Sequence, residues 1–302
     1  MKHTKVAIIG AGAVGSTTAY ALMLRNSAAE ITLVDIDEKK CKSEEFDLSD
    51  ALSFSRCAKI SSACLEDVKD PDIIIIAAGV AQKPGQKRTD LAVTNKKIVT
   101  SIVEGLKPFK KHTIIVVVTN PVDAMAYFAY QASGLPHHQV FGTGTLLDSV
   151  RLRGFLSKKI NISSESIDAY VLGEHGDAQF PAWSSAYIAG VPLLEYKGIT
   201  KKDLDLYAEE TRQKAYKIIE GKGATYFGIA VCVADMCENI MYNQKRIVPI
   251  SRYVKEYDLF LSVPSVLGCR GVEQMILPSL NEIEEKQLEA ARTSIEKIVK
   301  AI

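Results

Sequence analysis

A histidine that could exchange a proton near neutral pH lies between two glycines in the stretch Gly173-Glu-His175-Gly-Asp177. Histidine has the side chain whose ordinary pKa lies nearest neutrality, so it can both donate and accept a proton there. The flanking glycines allow a sharp turn and the close approach of another group. Taken alone, this pattern favours a loop histidine that is hydrogen-bonded to a neighbour, and a catalytic role requires partners from elsewhere in the chain.

A carboxylate and two arginines are candidates for such partners. Asp148 and Arg151 are three residues apart in a segment with helical apolar spacing, so a helix would place them on one face. Without a site nearby, they would form a surface ion pair of small energetic consequence. Arg88 lies in the polar segment 79–90. This segment is either a solvated loop or, beside a nucleotide site, a lid that brings Arg88 over a bound ligand.

A glycine-rich turn near the start of the chain predicts that nucleotide site. The motif Gly10-Ala-Gly12-Ala-Val-Gly15 follows a short apolar run and precedes an alanine-rich helical segment. A second apolar run then ends in Asp35, 20 residues after Gly15. Strand, glycine turn, helix, strand and terminal acid together are typical of dinucleotide binding, because the glycines admit a pyrophosphate to the helix N-terminus.

Asp35 also predicts which dinucleotide binds. Its carboxylate would accept hydrogen bonds from the adenosine ribose hydroxyls and would repel a 2′-phosphate. We therefore expect NAD rather than NADP. The alternative is an acid that merely caps the next helix.

Composition excludes several other classes of protein. The 302 residues, 47% of them apolar and 24% charged, carry a net charge of +1, so neither nucleic acid nor an anionic membrane is an expected partner. The six cysteines form no metal-ligand spacing, so we expect no metal, and reduced thiols in the cytoplasm. The uncharged stretch 6–24 resembles a membrane span, but its glycines and hydroxyl residues indicate strand, turn and helix.

Two further apolar runs, 72–79 and 113–119, predict strands of a parallel sheet that is covered by helices on both faces. Ligands of such sheets bind beyond the carboxyl ends of the strands, where Gly79, Val80 and Asn120 would lie. The pair Asn120-Pro121 would form a rigid turn, and its peptide bond is a candidate for the cis form.

The second half of the chain has a different pattern. After Gly142 we expect helices over 146–159, 200–221 and 224–243, with Thr225 at the start of the last. A strand over 168–172 would lead to His175, and the runs 245–253 and 259–267 predict an antiparallel sheet. A capping box at Asn281 would open a final amphipathic helix. We therefore predict two domains, 1–142 and 143–302.

These motifs, taken together, resemble the L-lactate/malate dehydrogenase family over nearly the full length, and the bacterial L-lactate branch most closely. The matching motifs in chain order are Gly10-x-Gly-x-x-Gly15, Gln82-Lys-Pro-Gly-x-x-Arg88, Asn120-Pro-Val-Asp123, Asp148-Ser-Val-Arg151 and Gly173-Glu-His-Gly-Asp177. The resemblance implies a Rossmann domain with a doubly wound parallel sheet, followed by an α/β substrate domain. It also implies a homotetramer, and cofactor contacts from Val14, Lys40 and Val118.

The resemblance assigns roles in the reduction of a 2-keto acid. His175 would give the proton, and Asp148 would fix its tautomer and raise its pKa. Arg88 would polarise the carbonyl, Arg151 would bind the substrate carboxylate with its two-pronged fork, and Asn120 would hold the substrate oxygen. Each role matches the chemistry that its side chain can perform.

Substrate choice depends on Gln82 in the predicted lid. The family carries glutamine there in lactate enzymes and arginine in malate enzymes, because oxaloacetate brings a second carboxylate that needs a charged partner. Thr225 also matches the lactate pattern. We therefore expect pyruvate and L-lactate as substrates. The alternatives are malate, since Lys83 and Lys87 flank the lid positions, a bulkier 2-hydroxy acid, and a non-catalytic NAD-binding protein.

Many bacterial lactate dehydrogenases are activated by fructose 1,6-bisphosphate at a subunit interface. The family site uses an arginine two residues after the substrate-binding arginine and a histidine seven residues before the catalytic one. Arg153 matches the first position, but Asp168 occupies the second. A carboxylate there would repel a bisphosphate, so we expect no activation.

Overall fold

The computed structural model describes residues 4–55, 59–80 and 88–302, apart from the side chains of Arg88 and Thr89. In the first half of the chain, six parallel strands lie in the spatial order β3-β2-β1-β4-β5-β6. This is the order of a doubly wound dinucleotide-binding sheet, as predicted. Their bounds are β1 Lys5–Ile9, β2 Glu30–Val34, β3 Lys59–Ser62, β4 Ile73–Ile76, β5 Ile114–Val117 and β6 Val140–Gly142.

Alternate residues of these strands contribute to two separate apolar clusters, one on each face of the sheet. One cluster contains Ile8, Ile75 and Val116, whereas the other contains Ile9, Ile76 and Val117. Because side chains of a strand alternate between faces, burial on both sides requires an unbroken apolar run. The covering helices are α1 Ala13–Leu24, α2 Glu38–Asp50, α3 Arg88–Gly105 and α4 Val122–Ser133.

The stretch 6–24 is therefore strand, turn and helix, as predicted, and no helix in the described part of the chain is long and apolar enough to cross a membrane. The Asn120-Pro121 peptide bond is cis, as anticipated. It directly precedes α4.

The predicted strand over 168–172 is wrong as a single element. After α5, Leu146–Ile160, the chain forms β7 at Ile167–Asp168 and β8 at Val171–Leu172, and these belong to different small sheets. β7 pairs with another two-residue strand, and β8 pairs with Phe180–Pro181 beyond the His175 turn. The remaining short strands are β9 Phe180–Pro181, β10 Tyr187–Ile188 and β11 Val191–Pro192.

The predicted long helices of the second half are present. Thr200 and Asp203 form a capping box at the start of α6, Lys201–Lys222, which ends at Gly223 with a positive φ of 83°. α7, Phe227–Met241, begins later than expected, so Thr225 precedes it by two residues. α8, Glu282–Lys300, has the predicted capping box at Asn281.

The antiparallel strands are also present, and they extend the parallel sheet. β12 Arg246–Val254, β13 Leu259–Gly268 and β14 Gly271–Met275 form a meander, and Ser251 of β12 pairs with Gly142 of β6. In the described residues, nine strands thus form one sheet. One apolar cluster contains residues of β1 and β4 together with residues of α7 and β12, so the core is continuous between the two halves.

Candidate active site

The glycine turn between β1 and α1 is closely packed. A Cβ atom on Gly15 would lie 1.8 Å from the carbonyl oxygen of Gly10, and one on Gly10, whose φ is 104°, would lie 2.5 Å from the nitrogen of Ala78. A Cβ on Gly12 would meet nothing within 4 Å. Gly10 and Gly15 are therefore required by packing, whereas Gly12 leaves open the side on which a pyrophosphate would approach the start of α1.

Asp35 lies at the carboxyl end of β2 beside this turn. Its Oδ2 accepts a hydrogen bond of 2.7 Å from the Ala11 N–H, and its Oδ1 accepts one of 3.0 Å from the Asp37 N–H. The N-cap of α2 is Asp37, whose side chain accepts from the Lys40 N–H. Helix capping therefore does not explain Asp35, and its position beside the glycine turn fits an NAD ribose.

A buried asparagine that the sequence interpretation missed joins the two loops at the carboxyl ends of β4 and β5. The Asn95 Oδ1 accepts a hydrogen bond of 2.8 Å from the Val80 N–H. Its Nδ2 donates to the carbonyl oxygens of Val80, at 3.2 Å, and Asn120, at 2.7 Å. Because Asn95 is only 1% exposed, this contact fixes both loops relative to one another.

A cavity of about 380 Å³ lies beyond these strand ends, a volume suited to a small ligand. Both halves of the chain line it, and it brings together nine of the predicted site residues: Val14, Gly79, Val80, Val118, Asn120, Asp148, Arg151, His175 and Thr225. Gly10, Gly12, Gly15, Asp35 and Lys40 lie outside its lining. Lys40 is exposed on α2, where the structure gives no contact to the cavity. Gln82 and the side chain of Arg88 lie outside the described residues.

A hydrogen bond connects the predicted proton donor to its carboxylate. The Nδ1 nitrogen of His175 lies 2.6 Å from Oδ2 of Asp148, which is in the first turn of α5 and 1% exposed. A carboxylate accepts only, so Nδ1 carries the proton, and Nε2 is the ring nitrogen that can exchange a proton with a ligand.

Electrostatic interactions favour the state in which His175 is an imidazolium and Asp148 is a carboxylate. Burial by itself lowers the pKa of His175, but the charge and hydrogen bond of Asp148, with a smaller effect from Asp123, raise that pKa above its ordinary value. Burial likewise raises the pKa of Asp148, but His175 and Arg151 together bring it below its usual range. Both directions agree that the imidazolium and the carboxylate stabilise each other.

Arg151 and Asp148 do not form the surface ion pair that was the alternative interpretation. The Arg151 Nη1 lies 3.2 Å from the Asp148 Oδ1, and Arg151 is 6% exposed. A buried guanidinium that lines a cavity retains N–H donors for an anion. The i, i+3 spacing thus places one carboxylate between an imidazole and an arginine.

A second buried carboxylate, Asp123, is hydrogen-bonded to the backbone of the turn that carries His175. It accepts hydrogen bonds of 2.8 Å from the His175 backbone N–H and 2.9 Å from the Ser262 hydroxyl, and burial raises its pKa. Gly173, with a φ of 95°, pairs with Ser262 in an isolated bridge. Asp123 was part of a recognised motif, but nothing in its type or spacing indicated this contact.

Helix α6 forms another part of the cavity wall. Arg212, Ala215, Tyr216 and Ile219 recur at helical spacing in the lining. The Tyr216 hydroxyl lies 3.3 Å from the Asp177 Oδ1, so the helix contacts the His175 turn. These residues were not predicted, because a helix with apolar and charged residues on one face resembles any surface helix.

Family models match both halves of the chain. Residues 4–142 match the lactate/malate dehydrogenase NAD binding domain, and residues 145–302 match the alpha/beta C-terminal domain of the same family. The chain belongs to the lactate/malate dehydrogenase family. It is accordingly an NAD-dependent oxidoreductase, and both the family resemblance and the expected cofactor are confirmed.

Relatives within the lactate/malate dehydrogenase family are similar over nearly their whole length. L-lactate dehydrogenase A of Rhizopus oryzae is 43% identical over 95% of this chain and 89% of its own. The L-lactate dehydrogenase of Lacticaseibacillus casei is 38% identical over 98% of this chain and 94% of its own.

Solved structures of the family agree with the fold. A lactate dehydrogenase from a Medee basin deep-sea metagenome library has a TM-score of 0.95 and 35% identity, covering 100% of this chain and 99% of its own. The minor L-lactate dehydrogenase of Enterococcus mundtii, in a ligands-bound form, has a TM-score of 0.96 and 34% identity over the same shares. The α/β fold with its parallel and antiparallel parts is therefore the family fold.

Proposed function

We propose that this protein is an L-lactate dehydrogenase that catalyses the reversible transfer of a hydride between NADH and pyruvate. One observation carries the proposal: the hydrogen-bonded pair His175 and Asp148 shares a cavity with the buried guanidinium of Arg151. This set supplies a proton donor and a carboxylate binder at one place, which the reduction of a 2-keto acid requires.

The proton is moved by the His175 imidazole. When bound, the nicotinamide supplies the hydride. As negative charge develops on the substrate oxygen, His175 donates the proton from Nε2, and Asp148 stabilises the imidazolium that carries it. In the reverse direction the neutral imidazole accepts the proton from the hydroxyl group of lactate.

Substrate orientation is assigned to four polar side chains. Arg151 binds the carboxylate through parallel N–H donors, and Asn120 holds the oxygen that is reduced. Arg88 polarises the same oxygen, as the resemblance implies. Thr225, which lines the cavity just before α7, contacts the part of the substrate beyond the carbonyl group.

NAD binding is assigned to residues from four loops and two helices of the first half. The start of α1 receives the pyrophosphate, and Asp35 accepts from the adenosine ribose. The open side of the turn at Gly12 supports this assignment. The full set that we assign to the cofactor is Gly10, Gly12, Val14, Gly15, Asp35, Lys40, Gly79, Val80, Val118 and Asn120.

Pyruvate is preferred in this proposal because Gln82 occupies the lid position that discriminates between substrates. A glutamine amide offers no charge to the second carboxylate of oxaloacetate. The names of the relatives described above support lactate dehydrogenase activity. Malate or a bulkier 2-hydroxy acid remains the alternative substrate.

We also propose the wider setting of the enzyme. A domain boundary after residue 142 would give a cofactor domain, 1–142, and a substrate domain, 143–302, in agreement with the two matched segments. A cytoplasmic homotetramer fits the family resemblance. Reduction of pyruvate would regenerate NAD for glycolysis during fermentation.

The test is a spectrophotometric panel of NADH oxidation with pyruvate, oxaloacetate and 2-ketoisocaproate. We expect the highest kcat/KM with pyruvate. His175→Asn should still bind NADH but lose kcat by a factor on the order of 10² or more, because asparagine cannot cycle a proton. NADH binding without turnover of any keto acid by the unmodified protein would favour the non-catalytic alternative.

Gln82→Arg tests the basis of substrate choice. A guanidinium at this position should move the ratio of kcat/KM from pyruvate towards oxaloacetate, because it gives the second carboxylate a charged partner. An unchanged ratio would indicate that Lys83 or Lys87, and not Gln82, determines which keto acid is preferred.

A further inference from the structure

A second cavity, of about 120 Å³, lies away from the active site. It is formed where the C-terminal end of β12 meets the short 3-10 helix His137–Gln139 that precedes β6. Its lining shares no residue with the active-site cavity, nor does it include Arg153 or Asp168. The lining residues are His137, Arg252, Tyr253, Val254, Lys255, Glu256 and Met275. Three of these seven side chains can carry a positive charge.

Arg252 is the half-buried cation of this cavity; burial lowers the pKa of its guanidinium, and the charge of Glu256 opposes that shift. Its Nε donates a hydrogen bond of 3.0 Å to the Tyr253 carbonyl oxygen. Across the described residues, no carboxylate lies within salt-bridge distance of its guanidinium, and the segments 1–3, 56–58 and 81–87 contain no Asp or Glu. By contrast Arg246, on the same strand, lies 2.8 Å from Asp235. The four Nη hydrogens of Arg252 therefore remain available to an acceptor.

His137, an exposed residue, adds a second group that can become positive. Its ring lies 5.5 Å from the Tyr253 ring and is tilted by 35°. Burial lowers its pKa, and the charges of Arg252 and His138 lower it further. Lys255, exposed at the rim, brings an ammonium to the same cavity, and Glu256 is the one acid in the lining. The positive charges of Arg252, which is half-buried, and Lys255 favour the entry of an anion.

We propose that this cavity binds the phosphate group of a small ligand, either inorganic phosphate or a phosphomonoester. Arg252 provides the planar donor pair that recognises a tetrahedral oxoanion, Lys255 adds a second positive charge, and the His137 ring adds an N–H donor. The cavity, of about 120 Å³, is much smaller than the active-site cavity of about 380 Å³, and it is large enough for one phosphate group.

Equilibrium dialysis of the full-length protein against radiolabelled phosphate tests the proposal. NADH and oxamate, an unreactive isostere of pyruvate, are kept in excess so that the keto acid site is filled. We expect saturable binding in which Arg252→Gln removes one phosphate per chain or weakens it at least tenfold. Arg246→Gln, on the same strand but paired with Asp235, is the matched control and should bind phosphate as the unmodified protein does.

Further variants and ligands make each outcome decisive. Lys255→Gln, at an exposed position, should weaken phosphate several-fold even if Arg252→Gln fails to fold. Displacement of label by glycerol 3-phosphate at concentrations below those of unlabelled phosphate would identify a phosphomonoester as the ligand, and the reverse order would identify free phosphate. The absence of saturable binding, or equal binding by the unmodified protein and both cavity variants, would overturn the proposal. Because neither residue belongs to the proposed catalytic set, turnover of pyruvate serves as the control for correct folding.

Discussion

At the scale of single residues, the function depends on a histidine whose pKa is set by opposing influences. Burial favours the neutral imidazole of His175, whereas Asp148 favours the imidazolium, and the carboxylate prevails. The consequence is a proton donor that stays charged to a higher pH than an isolated histidine would. Removal of the carboxylate should therefore reverse the direction of the shift.

Asp148→Asn should move the pH dependence of pyruvate reduction to lower pH. Reduction needs the imidazolium, so kcat/KM falls as pH rises through the pKa of His175. Without the Asp148 charge, burial dominates and lowers that pKa, so the fall begins at lower pH. The measurement is the pH profile of kcat/KM beside that of Asp205→Asn, an exposed aspartate on α6. Identical profiles in all three proteins would contradict the assignment.

Single residues also show which parts of the site could not be predicted from the sequence. His175, Asp148 and Arg151 were found because their types and spacing suit a known chemistry. Asp123 and Asn95 support the site through hydrogen bonds to backbone atoms that are distant in the chain, His175 N–H and Asn120 carbonyl oxygen. A backbone partner leaves no signature in residue type, so contacts of this kind become visible only in the folded structure.

At the scale of elements, the turn between β1 and α1 contains glycines that are needed for two different reasons. Gly15 is required by the approach of the Gly10 carbonyl group, and Gly12 faces open space. Gly15 is therefore needed for folding, whereas Gly12 is needed for ligand binding. A methyl group added at each position should distinguish the two.

Gly15→Ala should destabilise the protein by about 1–3 kcal/mol or more, because its Cβ would overlap backbone atoms. Gly12→Ala should fold with unchanged stability but bind NADH at least about tenfold more weakly, a loss of about 1.4 kcal/mol. Urea unfolding and fluorescence titration with NADH measure the two effects. If Gly12→Ala bound NADH normally, the pyrophosphate would not lie at this turn.

Among the elements, length and burial decided which could be predicted. The parallel strands β1, β2, β4 and β5 and the helices α6 and α8 were predicted because apolar runs and helical periodicity act locally, whereas the short strands β3 and β6 were not predicted. The segment 168–172 failed as one strand, since two residues pair in one small sheet and two in another. Pairs this short are determined by tertiary contacts, which a local pattern does not contain.

At the scale of the whole molecule, one substitution bears on regulation. Burial, together with the charge and hydrogen bond of Asp168, raises the pKa of Tyr170 to about 12, whereas the charge of Arg153 opposes this shift. Asp168 is thus already engaged by a neighbour in its own chain. A bisphosphate at this position would meet a carboxylate in every subunit of a symmetric assembly.

We therefore expect hyperbolic pyruvate saturation and no response to fructose 1,6-bisphosphate. An effector activates only if it binds one state of the enzyme more tightly than another. The Asp168 carboxylate would repel the bisphosphate in every state, so the effector would not bind. The measurement is the apparent KM for pyruvate with and without millimolar effector. A several-fold decrease in the unmodified protein would refute the expectation, and sensitivity acquired by Asp168→His would support it.

The pairing of β12 with β6 also limits how the molecule can enclose its substrate. Hinge motion between the two halves would break hydrogen bonds between β12 and β6 inside the nine-stranded sheet. It would also expose the apolar cluster to which both halves contribute. Spin labels introduced as non-natural amino acids at Lys39 and Lys286 should therefore keep their separation when NADH and oxamate bind, and a change of several ångströms would contradict this. Exclusion of water during catalysis is then expected of elements that border the cavity, such as α6, and not of a hinge in the sheet.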